Sequence, residues 1–158
     1  MNSTFYKAID LVFRHEGLIS DNPHDPGGLT KFGISKRAFP DLDIANLTRE
    51  QAMQIYHSEY WMRVGADRFQ PPIAIALFDT AVNMGTETAI RILQRTLGVK
   101  SDGILGNKTI AASISQQKDL VARFTAERCI AYQGIRNFDQ FGRGWLKRSI
   151  ITAVECSK

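Results

Sequence analysis

Residues 15–35 constrain this chain more than any other stretch. They read His-Glu-Gly-Leu-Ile-Ser-Asp-Asn-Pro-His-Asp-Pro-Gly-Gly-Leu-Thr-Lys-Phe-Gly-Ile-Ser. A helix with one apolar face runs into them. Asn2 or Ser3 can cap its start, because a short side-chain oxygen accepts from an orphan N–H of the first turn. Phe5, Ala8, Ile9, Val12 and Phe13 then recur at helical spacing. Glu16 falls four residues after Val12 and three after Phe13, so the helical period puts it on the same inward face. Gly17 is a natural helix stop. The expectation is a carboxyl at the end of a buried stripe, in the kind of water-poor niche that keeps a carboxyl protonated and able to act as a general acid. The alternative is that the stripe ends one turn early and Glu16 is a solvated residue at the helix C-terminus, where an acid is mildly unfavourable.

Asp25 follows Glu16 by nine residues, and Thr30 follows Asp25 by five. Residues 25–28, Asp-Pro-Gly-Gly, are turn chemistry: Pro fixes φ, and the glycines permit positive φ and close backbone approach. Residues 29–34 alternate and are β-prone, which predicts a short strand or hairpin. Folded back beside the helix end, such a hairpin brings Asp25 and Thr30 opposite Glu16. Two carboxyls across a cleft, one protonated and one ionised, are the machinery of glycoside hydrolysis. A neighbouring hydroxyl can position water or the ionised carboxylate. Singly, Asp25 also reads as a turn residue before Pro-Gly, and Thr30 as an ordinary strand residue.

Together, His15-Glu16-Gly17 and Asp25-Pro26-Gly27-Gly28-x-Thr30-Lys31-Phe32-Gly33-Ile34 resemble the signature of glycoside hydrolase family 108, the N-acetylmuramidases and phage-type endolysins that cleave peptidoglycan. The Glu…Asp…Thr order is also similar to the catalytic triad of phage T4-type lysozymes. The resemblance implies that Glu16, Asp25 and Thr30 are catalytic, and that Lys31 and Phe32 contact substrate. It implies no metal and no cofactor. Leu18 departs from the pattern, since relatives usually carry Gly there and an aromatic where Ile19 stands.

Composition fits one globular domain. The chain has 158 residues, of which 44% are hydrophobic and 23% charged. Twenty Lys+Arg against sixteen Asp+Glu give +4, which suits an anionic partner such as cell wall, nucleic acid or membrane surface. No basic stripe with interleaved aromatics points to nucleic acid. No run reaches the ~18 apolar residues of a membrane span. The first residues lack the basic and apolar regions of a secretory signal. Cys129 and Cys156 are too few for a disulfide framework and read as free thiols. His15-Glu16 opens like a zinc-binding His-Glu-x-x-His helix, but position 19 is Ile, and His24 and His57 lie on other elements.

Further along, residues 36–39 read as a helical turn. Thr48 and Gln51 form a capping box for a helix reaching about Trp61. On it, Tyr56, Tyr60 and Trp61 read as core packing, with sugar stacking as the alternative. Pro71-Pro72 opens a helix that is apolar nearly all round, interrupted by Asp79 and Asn83 at i and i+4. Polar groups there must either tie down neighbours or line a cleft. Phe78-Asp79-x-x-x-Asn83-x-Gly85 is similar to the family's helix facing the catalytic glutamate, so both are substrate-binding candidates. Thr86 is read as the cap of the next helix, which Gly98 ends. Asp102-Gly103-x-x-Gly106-x-x-Thr109 resembles the turn of peptidoglycan-binding modules, with Asn107 as a cap. A helix over residues 119–133 carries Leu120, Val121, Phe124, Cys129, Ile130 and Tyr132. Residues 134–141 read as a break, and a last helix opens at Gly144. Arg143, Lys147 and Arg148 read as a solvated basic face, with wall phosphates as the functional option.

The expected fold is mainly α: a single lysozyme-like domain over 1–158, with one small β-hairpin at the cleft. Residues 1–85 form the catalytic portion and 86–158 a peptidoglycan-binding-like helical portion packed on it. The expected function is hydrolysis of the β-1,4 bond between N-acetylmuramic acid and N-acetylglucosamine by a monomeric phage or prophage endolysin. Such an enzyme is made in the bacterial cytoplasm and acts on the wall after release. The competing classes are a non-catalytic wall-binding module and a wall amidase or peptidase.

Overall fold

Nine consecutive buried residues, 73–81, make the centre of the molecule. They belong to a helix that can face no water, because Ile73, Ala74, Ile75, Ala76, Leu77 and Phe78 leave it no polar side. The computed structural model describes residues 1–16, 19–20, 29–156 and 158. In chain order the elements are α1 (Ser3–Glu16), β1 (Ile19–Ser20), β2 (Thr30–Lys31), β3 (Ile34–Ser35), α2 (Arg49–Tyr56), a π-helical turn (His57–Trp61), a 3-10 turn (Ala66–Arg68), α3 (Pro71–Met84), α4 (Thr86–Thr96), α5 (Asn107–Ser115), α6 (Leu120–Gln133) and α7 (Phe138–Cys156). The central helix is α3, and α1, α4, α6 and α7 pack around it. Among the described residues, no helix is long and apolar enough to cross a membrane.

Local chemistry explains most element starts. Asn2 Oδ1 accepts from Phe5 N at 2.8 Å and caps α1. The expected capping box of α2 is present: Gln51 N donates to Thr48 Oγ1, and Thr48 N to Gln51 Oε1. Pro71 and Pro72 occupy the first turn of α3. The edge-to-face trio of Phe5, Trp61 and Phe78, with centroids 5.4–5.8 Å apart, joins α1 to α3. Each such buried side chain contributes about 1.5–3 kcal/mol through its removal from water.

Three expectations are corrected. Thr86 is the first residue of α4, and the cap position is Gly85. Asn107 likewise follows the cap position of α5, which is Gly106, and its Oδ1 accepts from Arg68 instead. Helix α7 starts at Phe138 rather than Gly144. Its two early glycines read as breakers, yet Gly142 is buried beneath the Phe138 ring, where an added Cβ would come within 2.6 Å of ring carbons. The helix keeps glycine there because nothing larger fits.

The small sheet is antiparallel with order β1-β2-β3. Lys31 opposes Ile34 and Thr30 opposes Ser35, so Phe32 and Gly33 are a two-residue turn. Both have positive φ, 53° and 77°, as a hairpin with the natural strand twist requires. Phe32 tolerates the left-handed backbone because Phe13 packs on its ring at 5.6 Å and Tyr56 Oη donates to its carbonyl at 3.0 Å. At Gly33 an added Cβ would lie 2.5 Å from Tyr56 Oη and 2.8 Å from Glu16 Cγ. Gly33→Ala is therefore expected to destabilise the protein by about 1–3 kcal/mol, from the strained backbone and the clash. Urea unfolding of the variant against the parent measures it; equal midpoints and slopes would contradict the close fit.

Candidate active site

Glu16 ends α1, and the Phe32-Gly33 turn presses on it from one side. From α2 and the π-helical turn, Tyr56 and Tyr60 stand close by, their rings 5.6 Å apart. Burial pushes both phenol pKa values up, and the charge of Glu16 pushes the same way. Tyr56 and Trp61 are buried, which makes them core residues, while Tyr60 is half-buried.

From the other side comes Arg148 of α7. Its Nη1 donates to Glu16 Oε1 at 2.5 Å, across 132 residues of chain. Its Nε donates to Asp79 Oδ1 at 3.0 Å. Its Nη2 lies 2.9 Å from the same oxygen, out of hydrogen-bond alignment. Asp79 Oδ2 accepts from Arg128 Nη1 of α6 at 2.7 Å and from Thr152 Oγ1 of α7 at 3.2 Å. Tyr132 Oη accepts from Arg128 Nε at 2.8 Å and donates to Asn83 Oδ1 at 2.6 Å. Two carboxylates and two guanidiniums thus balance in one cluster. Asp79 and Arg128 are almost wholly buried, at 1% and 2% exposure. Burial alone would raise the Asp79 pKa, but Arg128 and Arg148 outweigh it and hold that carboxyl below the usual range. Burial likewise opposes the charge of Arg148, and Asp79 and Glu16 more than restore it. His15 Nε2 lies 3.5 Å from Thr152 Oγ1. Burial lowers its pKa against the pull of Asp79.

The sequence candidates distribute unevenly. The water-poor niche expected for Glu16 is not observed: its side chain is 26% exposed and ion-paired. The stripe of α1 ends at Phe13, and Glu16 sits past it at a rim. Asp25 lies outside the described residues, as do Gly17, Leu18, His24 and the turn at 25–28. Thr30 is half-buried in the central strand, opposite Ser20 and Ser35. Lys31 Nζ donates to Ala45 O at 3.0 Å, fastening the hairpin to the loop behind it. Phe32 shapes the turn over Glu16. Of the two roles open to Asp79 and Asn83, the geometry gives Asp79 the tying one, buried under two arginines; Asn83 is half-buried and fixes Tyr132.

Arg148 is not part of a solvated face, since its side chain is only 11% exposed. The inward stripe of α6 is Leu120, Phe124, Arg128 and Tyr132, while Ile130 is 57% exposed. Arg128 and Arg148 are cluster members whose pairing with Asp79 and Glu16 the sequence pattern does not single out. The available signal was the need of Asp79, on an otherwise apolar helix, for cationic partners.

Replacing Asp79 with Asn leaves Arg128 buried without a carboxylate and Arg148 with Glu16 alone, and a loss of about 3–5 kcal/mol is expected from denaturant unfolding. The pH dependence follows from the lowered pKa. The stabilisation is complete above the unfolded value of 3.8 and is lost as pH falls through the lower folded value. Wild-type stability should drop more steeply below that pH than Asp79→Asn stability; parallel curves would contradict the pair.

Residues 9–85 match the family model described as Glycosyl hydrolase 108. Residues 88–150 match one described as Predicted Peptidoglycan domain. The solved structure of Brucella abortus SagA superposes with a TM-score of 0.87 at 32% sequence identity, over 98% of this chain and 94% of that one. No curated protein sequence matches the chain.

Proposed function

Because the chain belongs to the glycosyl hydrolase 108 family and carries a peptidoglycan-type second portion, we propose that it is a muramidase, cutting the β-1,4 bond between N-acetylmuramic acid and N-acetylglucosamine. The family matches make it a lysozyme-like glycoside hydrolase acting on peptidoglycan. The muramidase reading rests on a single observation: Glu16 is held at the meeting point of the hairpin turn and α7 by a guanidinium that is itself locked in place by Asp79.

In the proposed step substrate covers the rim and Glu16 takes up a proton from solvent on Oε2 while Oε1 keeps accepting from Arg148; Oε2 then passes that proton to the glycosidic oxygen. The bond to the anomeric carbon breaks as the proton arrives, leaving an oxocarbenium-like centre. Asp25, assigned by the sequence motif, stabilises that centre or acts as base or nucleophile. Thr30 positions Asp25 or the water that completes hydrolysis. Arg148 is a positioning residue: fixed by Asp79, it fixes the carboxyl, and orientation of this kind governs how often a proton donor is in reach. No metal or cofactor has a part in this scheme, and one chain suffices for it.

Glu16→Gln should lower the rate at which purified peptidoglycan gains new reducing ends by about 10²–10⁴ while circular dichroism stays native. Release of amine groups in place of reducing ends, or full lysis by the variant, would overturn the proposal. We extend the reading to an endolysin of phage or prophage origin, made in the cytoplasm and released to its wall substrate. Fractionation of cells with and without a co-expressed membrane-pore protein tests this. Wall-associated enzyme is expected only with the pore, and its appearance in intact cells without help would exclude the endolysin reading.

A further inference from the structure

Helix α7 carries a feature that bond cleavage does not use. Phe141, Trp145 and Arg148 recur at i, i+4 and i+7, so they share one helix face. Arg148 anchors one end of this stripe on Glu16. Trp145 is half-buried and stacks on Tyr132, with centroids 5.3 Å apart and planes inclined by 26°. Tyr132 is held through its hydroxyl by Asn83 and Arg128, so the stack has a rigid base. Phe141 continues it at 6.1 Å and 33°. Its ring is 47% exposed; among the described residues, Tyr6 is the other aromatic side chain so open to water. Burial in the core therefore does not account for Phe141.

Between Phe141 and Arg148 on the same surface lies Gly144, three residues after the one and four before the other. It is exposed, and an added Cβ there would meet nothing within 4 Å. Glycine weakens a helix interior relative to a residue with a side chain, and neither packing nor backbone conformation demands it at this position. What it provides is a bare floor between the aromatic end of the stripe and Glu16. The whole stripe spans seven residues, roughly 10 Å along the helix axis.

We infer that this face of α7, formed by Phe141, Gly144 and Trp145, is a sugar-stacking subsite on which the glycan strand lies as it runs away from Glu16. It deepens the muramidase reading and rests on it. The apolar C–H face of an N-acetylated pyranose stacks on aromatic rings, and Gly144 lets a ring approach the helix backbone. The stripe leads straight to the carboxylate, and it lies within the segment that matches a peptidoglycan model.

Binding to purified, insoluble peptidoglycan in the inactive Glu16→Gln background tests the inference without depending on turnover. Adding Phe141→Ala should weaken binding about three- to tenfold, the size of one lost aromatic stack. Adding Gly144→Gln should weaken it comparably while leaving the melting temperature unchanged or higher, since Gln favours helix more than Gly does. That combination separates blockage from unfolding. Ile150→Ala, at a 57% exposed apolar residue elsewhere on α7, should bind as the parent does. Soluble glycan fragments should shift the tryptophan emission, and Trp145→Phe should abolish the shift, because Trp61 is buried. Unchanged binding in both Phe141→Ala and Gly144→Gln would overturn the subsite, as would equal weakening by Ile150→Ala. Reducing-end release by the wild type, measured in parallel, keeps the two readings apart. Release with unaltered binding rejects the subsite alone, whereas weakened binding without release rejects the muramidase and leaves the stripe as a wall-binding surface.

Discussion

A buried carboxylate that must be neutralised organises this molecule. Asp79 sits on the one helix that has no wet side, and a charge there is untenable without counter-ions. Two arginines supply them, from α6 and from α7. One of the two, Arg128, lies wholly inside the core. The other, Arg148, has a second end that reaches the rim and takes hold of Glu16. The electrostatic demand of the core and the placement of the candidate proton donor are thus a single arrangement. Arg148 cannot drift without uncovering Asp79, and so Glu16 has a fixed partner.

The opposite wall of Glu16 is made by backbone geometry rather than charge. The hairpin turn spends two left-handed residues in a two-residue loop, one of them a phenylalanine held by Phe13 and Tyr56. Strain of this kind persists where surrounding contacts over-determine it. Here the contacts are aromatic, and the same tyrosine that holds the turn stands beside the carboxylate. The π-helical turn that follows α2 keeps Trp61 in the core and leaves Tyr60 half-open at the rim. Charge from one side and packing from the other leave the Glu16 side chain little rotational freedom.

Much of this architecture was legible in the sequence. Apolar residues at helical spacing marked α1 and α3, the Thr48–Gln51 reciprocity marked the start of α2, and alternation marked the hairpin, because each signal is local. What was hidden is non-local or dual in meaning. An arginine after a lysine near the C-terminus looks like solvated surface, and only the fold reveals that Arg148 points at a carboxylate on another helix. Arg128 replaces an apolar residue in the inward stripe of α6, and a stripe counted by hydrophobicity steps over it. Gly142 and Gly144 look alike as helix breakers, yet one is enclosed by a phenyl ring and the other faces open space. Glu16 was placed on the right helix, but the period alone could not show that the stripe stops at Phe13 and that the next turn emerges at a rim.

The span of the Glu16–Arg148 contact bears on how the enzyme comes into being. The two partners are 132 residues apart in a chain of 158, and long-range closures of this kind form late, after local elements are in place. A nascent chain leaving the ribosome exposes α1 first and α7 last. Until α7 has emerged, the carboxylate has no guanidinium beside it and Asp79 lacks half its counter-charge. The arrangement around Glu16 is therefore assembled in one late event, and a polypeptide cut short before α7 is born without it.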